Sequence, residues 1–198
     1  MNTGRSICSL FLVAATPFFA VSAFAGEIRE FDLKTIERLG NELTRVSQSR
    51  DKGATDAVRK RAKQTAIAAL KGKLFNIHYD YVLLNDPDGS GFLVYALGTT
   101  KNPDEVVLAG HFRVTVSADG EKAQRVDALS RSLLINNKKD VPAGSDVVAM
   151  HMAQIVSSKP LETLIYTSNL TKMPIMVATP PNGQVWLVGN GKISKDKK

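Results

Sequence analysis

Apolar positions first recur every third or fourth residue, then every second. Over 32–49, Leu33, Ile36, Leu39, Leu43 and Val46 form a single stripe, the spacing of an amphipathic helix. Asp32 stands where a side-chain oxygen can accept from first-turn amides, so it is the expected N-cap. Gly53 breaks the pattern. A second helix is predicted over 55–70, with Ala57, Val58, Ala62, Ala66, Ala69 and Leu70 toward one side, Thr55 as its cap and Gly72 as its stop. Alanine favours the helix but covers little area, so this helix is expected to lie close against another element.

Beyond Lys73 the period becomes two. Phe75, Ile77, Tyr79, Tyr81 and Leu83 alternate with more polar residues and predict a half-buried strand. Further strands are predicted over 92–97, 105–117, 123–135, 147–156, 161–167, 174–178 and 184–188. Turn residues separate them at 85–91, 101–104 and 180–183, and a polar connection with Pro142 and Gly144 spans 136–146. Asp119-Gly120 between two alternating segments is the strongest hairpin signal. Residues 192–198 read as a frayed basic end. Short, helix-free connections favour antiparallel pairing. The predicted fold is therefore α+β: a mainly antiparallel sheet of about six to eight strands, with two N-terminal helices packed on one face.

The first 25 residues stand apart. Arg5 precedes an apolar stretch over 7–21, and Ala23-Phe24-Ala25 places small residues where a signal peptidase reads. Pro17 and the abrupt charge from Glu27 onward argue against a retained anchor. Cleavage after Ala25 is expected to leave a helical segment over 26–73, a sheet body over 74–193 and a basic tail over 194–198, all in one domain. No later stretch is long and apolar enough to span a bilayer.

Composition narrows the chemistry. The chain has 198 residues, 43% of them hydrophobic, a formal net charge of +7 and one cysteine, Cys8, inside the leader. After cleavage, disulfides, thiolate catalysis and thiolate metal sites are excluded. An excess of positive charge suits anionic partners. Arg59, Lys60, Arg61, Lys63 and Lys71 make the second helix basic, and with the lysine tail it is the expected place for weak association with anionic surfaces. Basic residues are not interleaved with aromatics, so no nucleic-acid platform is expected.

The candidate chemistry rests on three histidines and a polar stripe. His78 shares a strand face with Asp80, and His111 shares one with Arg113. Together they can supply a base and its orienter, so His78, Asp80 and His111 are the weak catalytic candidates. His78, His111 and His151 are the weak metal candidates, although no two show a close ligand spacing. His111, Arg113, Arg125, Ser130 and Arg131 are the expected ligand-binding residues, because arginine forks bind carboxylate or phosphate. A cross-strand salt bridge from Arg113 or Arg125 to Asp127 explains the same residues without a ligand. No cofactor is implied.

Other matches fall away. The S-x-x-K strings at Ser49–Lys52 and Ser194–Lys197 have no partner motif. The segment 86–91 lacks the twelve-residue calcium pattern and reads as a turn.

The body over 81–193 resembles small exported bacterial proteins. The resemblance is carried by Asn85-Asp86-Pro87-Asp88-Gly89, by the run from Gly110 through His111-Phe112-Arg113 to Gly120, by Leu129-Ser130-Arg131-Ser132, and by Ala178-Thr179-Pro180 through Trp186. It implies a Gram-negative envelope or secreted location and no catalytic role. The expected function is an exported binding or protein-interaction module whose partner is an envelope protein or a small anionic ligand. The alternatives are a hydrolase or metal-dependent enzyme using His78, Asp80 and His111, and a structural envelope-associated protein.

Overall fold

The computed structural model describes residues 27–140 and 148–195. The leader over 1–25, the connection around Pro142 and Gly144, and the last three residues of the tail lie outside the described residues.

Both predicted helices form. Helix α1 (Leu33–Ser47) is capped as expected, with Asp32 accepting from the Thr35 amide at 3.1 Å. Helix α2 (Ala57–Ala69) starts two residues inside the predicted range, and its cap moves by one: Asp56 rather than Thr55 accepts from the Arg59 amide at 2.9 Å. A carboxylate is the stronger acceptor toward the positive end of a helix.

Strands β1 (His78–Asn85), β2 (Phe92–Thr99), β4 (Phe112–Val116) and β5 (Ala123–Ala128) make an antiparallel sheet in the order β1-β2-β4-β5. The Asp119-Gly120 hairpin joins β4 to β5, with Gly120 at φ +77°. The predicted strand over 105–117 is instead two. It breaks at Gly110, which turns at φ +111° where a side chain would meet Leu133, and sends β3 (Glu105–Ala109) to pair with β6 (Leu134–Asn137). The predicted strand over 123–135 divides in the same way into β5 and β6.

The largest departure lies at 161–167, predicted as a strand and found in helix α3 (Glu162–Thr171). A short apolar run is compatible with either element, and Leu161, Leu164, Ile165 and Ser168 carry the helical spacing. Because the first seven residues of α3 are all buried, no polar face marks its period. Helix α3 makes the crossover between β7 (Met150–Ala153) and β8 (Ile175–Thr179), the one parallel pair among described strands. With β9 (Gln184–Gly189) and β10 (Lys192–Lys195) these form a second sheet, β10-β9-β8-β7. Residues 192–195 thus pair as an edge strand rather than fray, and Glu37 of α1 accepts from the Ile193 amide at 2.9 Å.

The helices do not share one face. Helix α2 lies on one side of the first sheet, where Ala62, Ala66 and Leu70 pack with Leu83, Val94, Phe112 and Val114. The other side of that sheet meets α1 and α3, and beyond them the inner side of the second sheet, in one larger core. Alanine on α2 allows the close approach that its composition implied.

Gly40 sets the α1–α3 distance. A Cβ there would meet Ile165 Cβ at 2.5 Å and the Glu162 carbonyl at 2.7 Å. In an exposed helix Gly→Ala stabilises by about 1 kcal/mol, but here the overlap with a helix backbone outweighs it. Gly40→Ala is expected to lower stability by about 2 kcal/mol in urea unfolding; an unchanged or raised midpoint would contradict the close packing.

Candidate functional site

Arg113 sits mid-strand in β4, opposite Tyr95 of β2 and Asp127 of β5. Parity turns it away from α2 and into the larger core, where it has no exposed surface. Such a charge persists only if paired and hydrogen-bonded. Its Nη2 donates to Asp127 Oδ2 at 2.8 Å and to the Arg29 carbonyl, and its Nη1 donates to Glu162 Oε1 at 2.5 Å. Tyr95 Oη donates to the same Glu162 oxygen at 2.9 Å. Burial opposes the Arg113 charge, but Glu162, Tyr95 and Asp127 outweigh it and hold the guanidinium pKa above its ordinary value. Burial and then Glu162 push the Tyr95 phenol well above its usual range.

The cluster extends outward. Arg125 donates to Asp127 Oδ1 at 2.6 Å and also reaches the Glu27 carbonyl. The Phe31 ring meets two guanidiniums, with its centroid 4.9 Å from Arg29 and 4.8 Å from Arg113. Arg29 clasps Asp86 through two bonds of 2.7 Å and reaches Asp88 at 2.9 Å. Burial works against the Asp86 charge, yet Arg29 and the Asp88 amide keep its pKa below the ordinary carboxylate value. The turn over 86–91 is therefore stapled to the N-terminal segment.

The expected site residues are distributed as follows. His111 is only 2% exposed, and its Nδ1 accepts from the Gly98 amide at 3.0 Å. Burial drives its pKa down to about 4, so at neutral pH it is uncharged with the proton on Nε2. Asp80 is ion-paired with Lys52, and His78 is exposed at the start of β1. Among the described residues, none of His78, Asp80 and His111 hydrogen-bonds to another. His151 lies exposed on β7, in the second sheet. No group of three His, Cys, Asp or Glu among the described residues could hold a metal. Ser130 accepts from the Gly110 amide at 2.8 Å and donates to the Ser132 carbonyl at 2.9 Å, so it fastens the bend between β3 and β4. Arg131 is exposed beside it. Of the five expected ligand-binding residues, Arg113 and Arg125 meet on Asp127, the pairing that β-register alone anticipates.

Two surface features lie outside that group. A cleft of about 350 Å³ opens between α1, α2 and β1, bordered by Arg45, Asp51, Thr55, Arg59 and Asn85. Arg59 is already occupied there by Asn85 at 2.5 Å and by the ring of Phe92 at 5.2 Å. The other feature is the outer side of the second sheet. Its register sets His151 beside Met176, Met176 beside Leu187 and Leu187 beside Ser194, with Ala153, Ala178 and Val185 in the next row. Met176 and Leu187 are each 43% exposed, and Ile155 beyond β7 is 44% exposed. The sequence signal for this face is that both parities of β7–β9 are largely apolar, where a half-buried strand would alternate with polar residues.

No family model, curated protein or solved structure matches the chain.

The buried imidazole carries a pH dependence. The His111 pKa is depressed in the folded protein, so the unfolded chain binds its proton more readily. Its contribution is complete above the unfolded value near 6.5 and is lost as pH falls toward about 4, a total of about 3 kcal/mol. His111→Asn keeps an acceptor for the Gly98 amide and removes the titration. Denaturant melts from pH 7 to pH 4 are expected to show a shallower acid decline in the variant, by about that amount; equal declines would contradict a buried neutral imidazole.

Proposed function

We propose that this chain is an exported binding module that works through an exposed surface and resides in the periplasm or outside the cell. The observation that carries the reading is the outer side of the second sheet, where aliphatic side chains stand in cross-strand register and remain open to solvent. Contiguous apolar surface of this kind marks interaction sites in soluble proteins. Its inner side is fully used by the core, through Met150, Met152, Ile175, Val177, Trp186 and Val188. Export is supported by the leader pattern over 1–25 and by a body that needs no disulfide, being held by packing and buried ion pairs.

Expression in a Gram-negative host and separation of cell fractions tests this reading. The protein is expected in the envelope or medium with an N-terminus at Gly26. A Met176→Ser/Leu187→Ser variant is expected to keep its melting temperature within about 3 °C, because surface substitutions change stability little, while losing retention on envelope fractions. A full-length cytoplasmic protein, or retention indifferent to the double variant, would contradict it.

A further inference from the structure

The charge carried by the described residues of the second-sheet segment is one-sided. From Val148 to Lys195 the single acidic residue is Glu162, fully buried under Arg113, and there is no arginine. The cations of this segment are Lys159, Lys172, Lys192 and Lys195, with His151 on the face itself. Lys159 and Lys195 are turned to Glu30 and to the Trp186 ring. Lys172 is exposed at the end of α3 that leads into β8. Lys192 stands opposite Gly189 at the same end of the sheet, with its side chain 77% exposed although it touches Glu37. The row His151–Met176–Leu187–Ser194 runs beside that end. Among the described residues the surface is thus an aliphatic sheet face bordered at one end by the exposed Lys172 and by Lys192, which is paired with Glu37 of α1.

We propose that this face adsorbs to an anionic lipid surface, an inference that rests on the surface-binding reading above. Lysine is a point charge on a long apolar stem, so it meets phosphate headgroups without fixed geometry while its methylenes stay against hydrocarbon. A protein partner would be met differently: interface anchors are chiefly Trp, Tyr and Arg, and this face presents none. The single tryptophan points inward and donates to Thr179 Oγ1 at 2.9 Å. A second copy of the chain would bring the same exposed Lys172 and, among the described residues of its second-sheet segment, no exposed carboxylate to meet it. The basic helix α2 is less suited than its composition implied. Its apolar side is spent on the first sheet through Ala62, Ala66 and Leu70, and its Arg59 and Arg61 are held by Asn85 and the Asp119 carbonyl. No helix among the described residues is long and apolar enough to cross a membrane, so the contact described is peripheral, reversible and screened by salt.

The test is co-sedimentation of the exported form with vesicles of phosphatidylcholine alone, or with about one-third phosphatidylglycerol. Salt is set at about 0.01 M and about 0.15 M, where the Debye length is about 30 Å and about 8 Å. Binding is expected only to the anionic vesicles and stronger at low salt. Lys172→Glu and, separately, Met176→Ser/Leu187→Ser are each expected to reduce it about fivefold or more, with melting temperatures retained. Lys60→Glu on α2 is expected to leave it unchanged. Equal binding to both vesicles, or anionic binding that survives the serine double variant, overturns the proposal. No vesicle binding alongside Met176-dependent retention on envelope fractions assigns the face to a protein partner; the lipid proposal then fails while the surface reading stands. If envelope retention is also indifferent to Met176, both fail.

Discussion

Arg113 has no contact with solvent, and every segment that surrounds it must be in place before its charge can be tolerated. Asp127 comes from the neighbouring strand, Glu162 from the start of α3, Tyr95 from the strand on the other side, and the Arg29 carbonyl and Phe31 ring from the chain ahead of α1. One guanidinium therefore ties the first sheet to the helix that leads into the second sheet, and both to the N-terminal segment. A buried ion pair adds little net stability against a well-packed apolar substitute, but losing one partner leaves the other charged and dry. The arrangement thus works as a lock on relative position more than as a source of binding energy. Two buried oxygens there, Glu162 Oε2 and Thr115 Oγ1, have no hydrogen-bond partner among the described residues.

This constraint decides which chemistry remains for the surface. The stripe that reads as an anion-binding site in sequence is turned inward at Arg113 and His111, while Arg125 closes over Asp127. Arginines suited to carboxylate recognition do recognise carboxylates, but those of this chain. The same core fills the inner side of the second sheet, and no described residue covers its outer side, so a surface that was not singled out by residue chemistry becomes the main candidate. The proposed function follows from what the interior leaves open.

Much of the fold was legible where period and local chemistry agreed. The stripe through Ile36, Leu39 and Leu43, the Asp32 cap and the Asp119-Gly120 hairpin each combine a pattern with a short-range hydrogen-bond reason. What escaped was set at long range. Residues 162–168 are buried on every side of α3, so their helical period has no polar counterpart to reveal it. The bend at Gly110 depends on Ser130, twenty residues away, reaching its amide. The placement of α1 and α2 on opposite sides of the first sheet rests on contacts far apart in sequence, α1 with α3 and β1, α2 with β2, β4 and β5. The Arg113–Asp127 pair was accessible from strand parity, whereas Glu162 was not, because nothing local directs a helix N-terminus at a strand centre.

The central claim is that Arg113 and Glu162 act as one unit that positions α3 on the first sheet. A double-mutant cycle by urea unfolding, using Arg113→Met, Glu162→Leu and the combination, tests it most directly. Each single change should cost about 3–5 kcal/mol by stranding its partner, and the combination should cost at least about 2 kcal/mol less than their sum. Additive losses would mean that the two charges are not coupled, and that α3 is held by apolar packing alone.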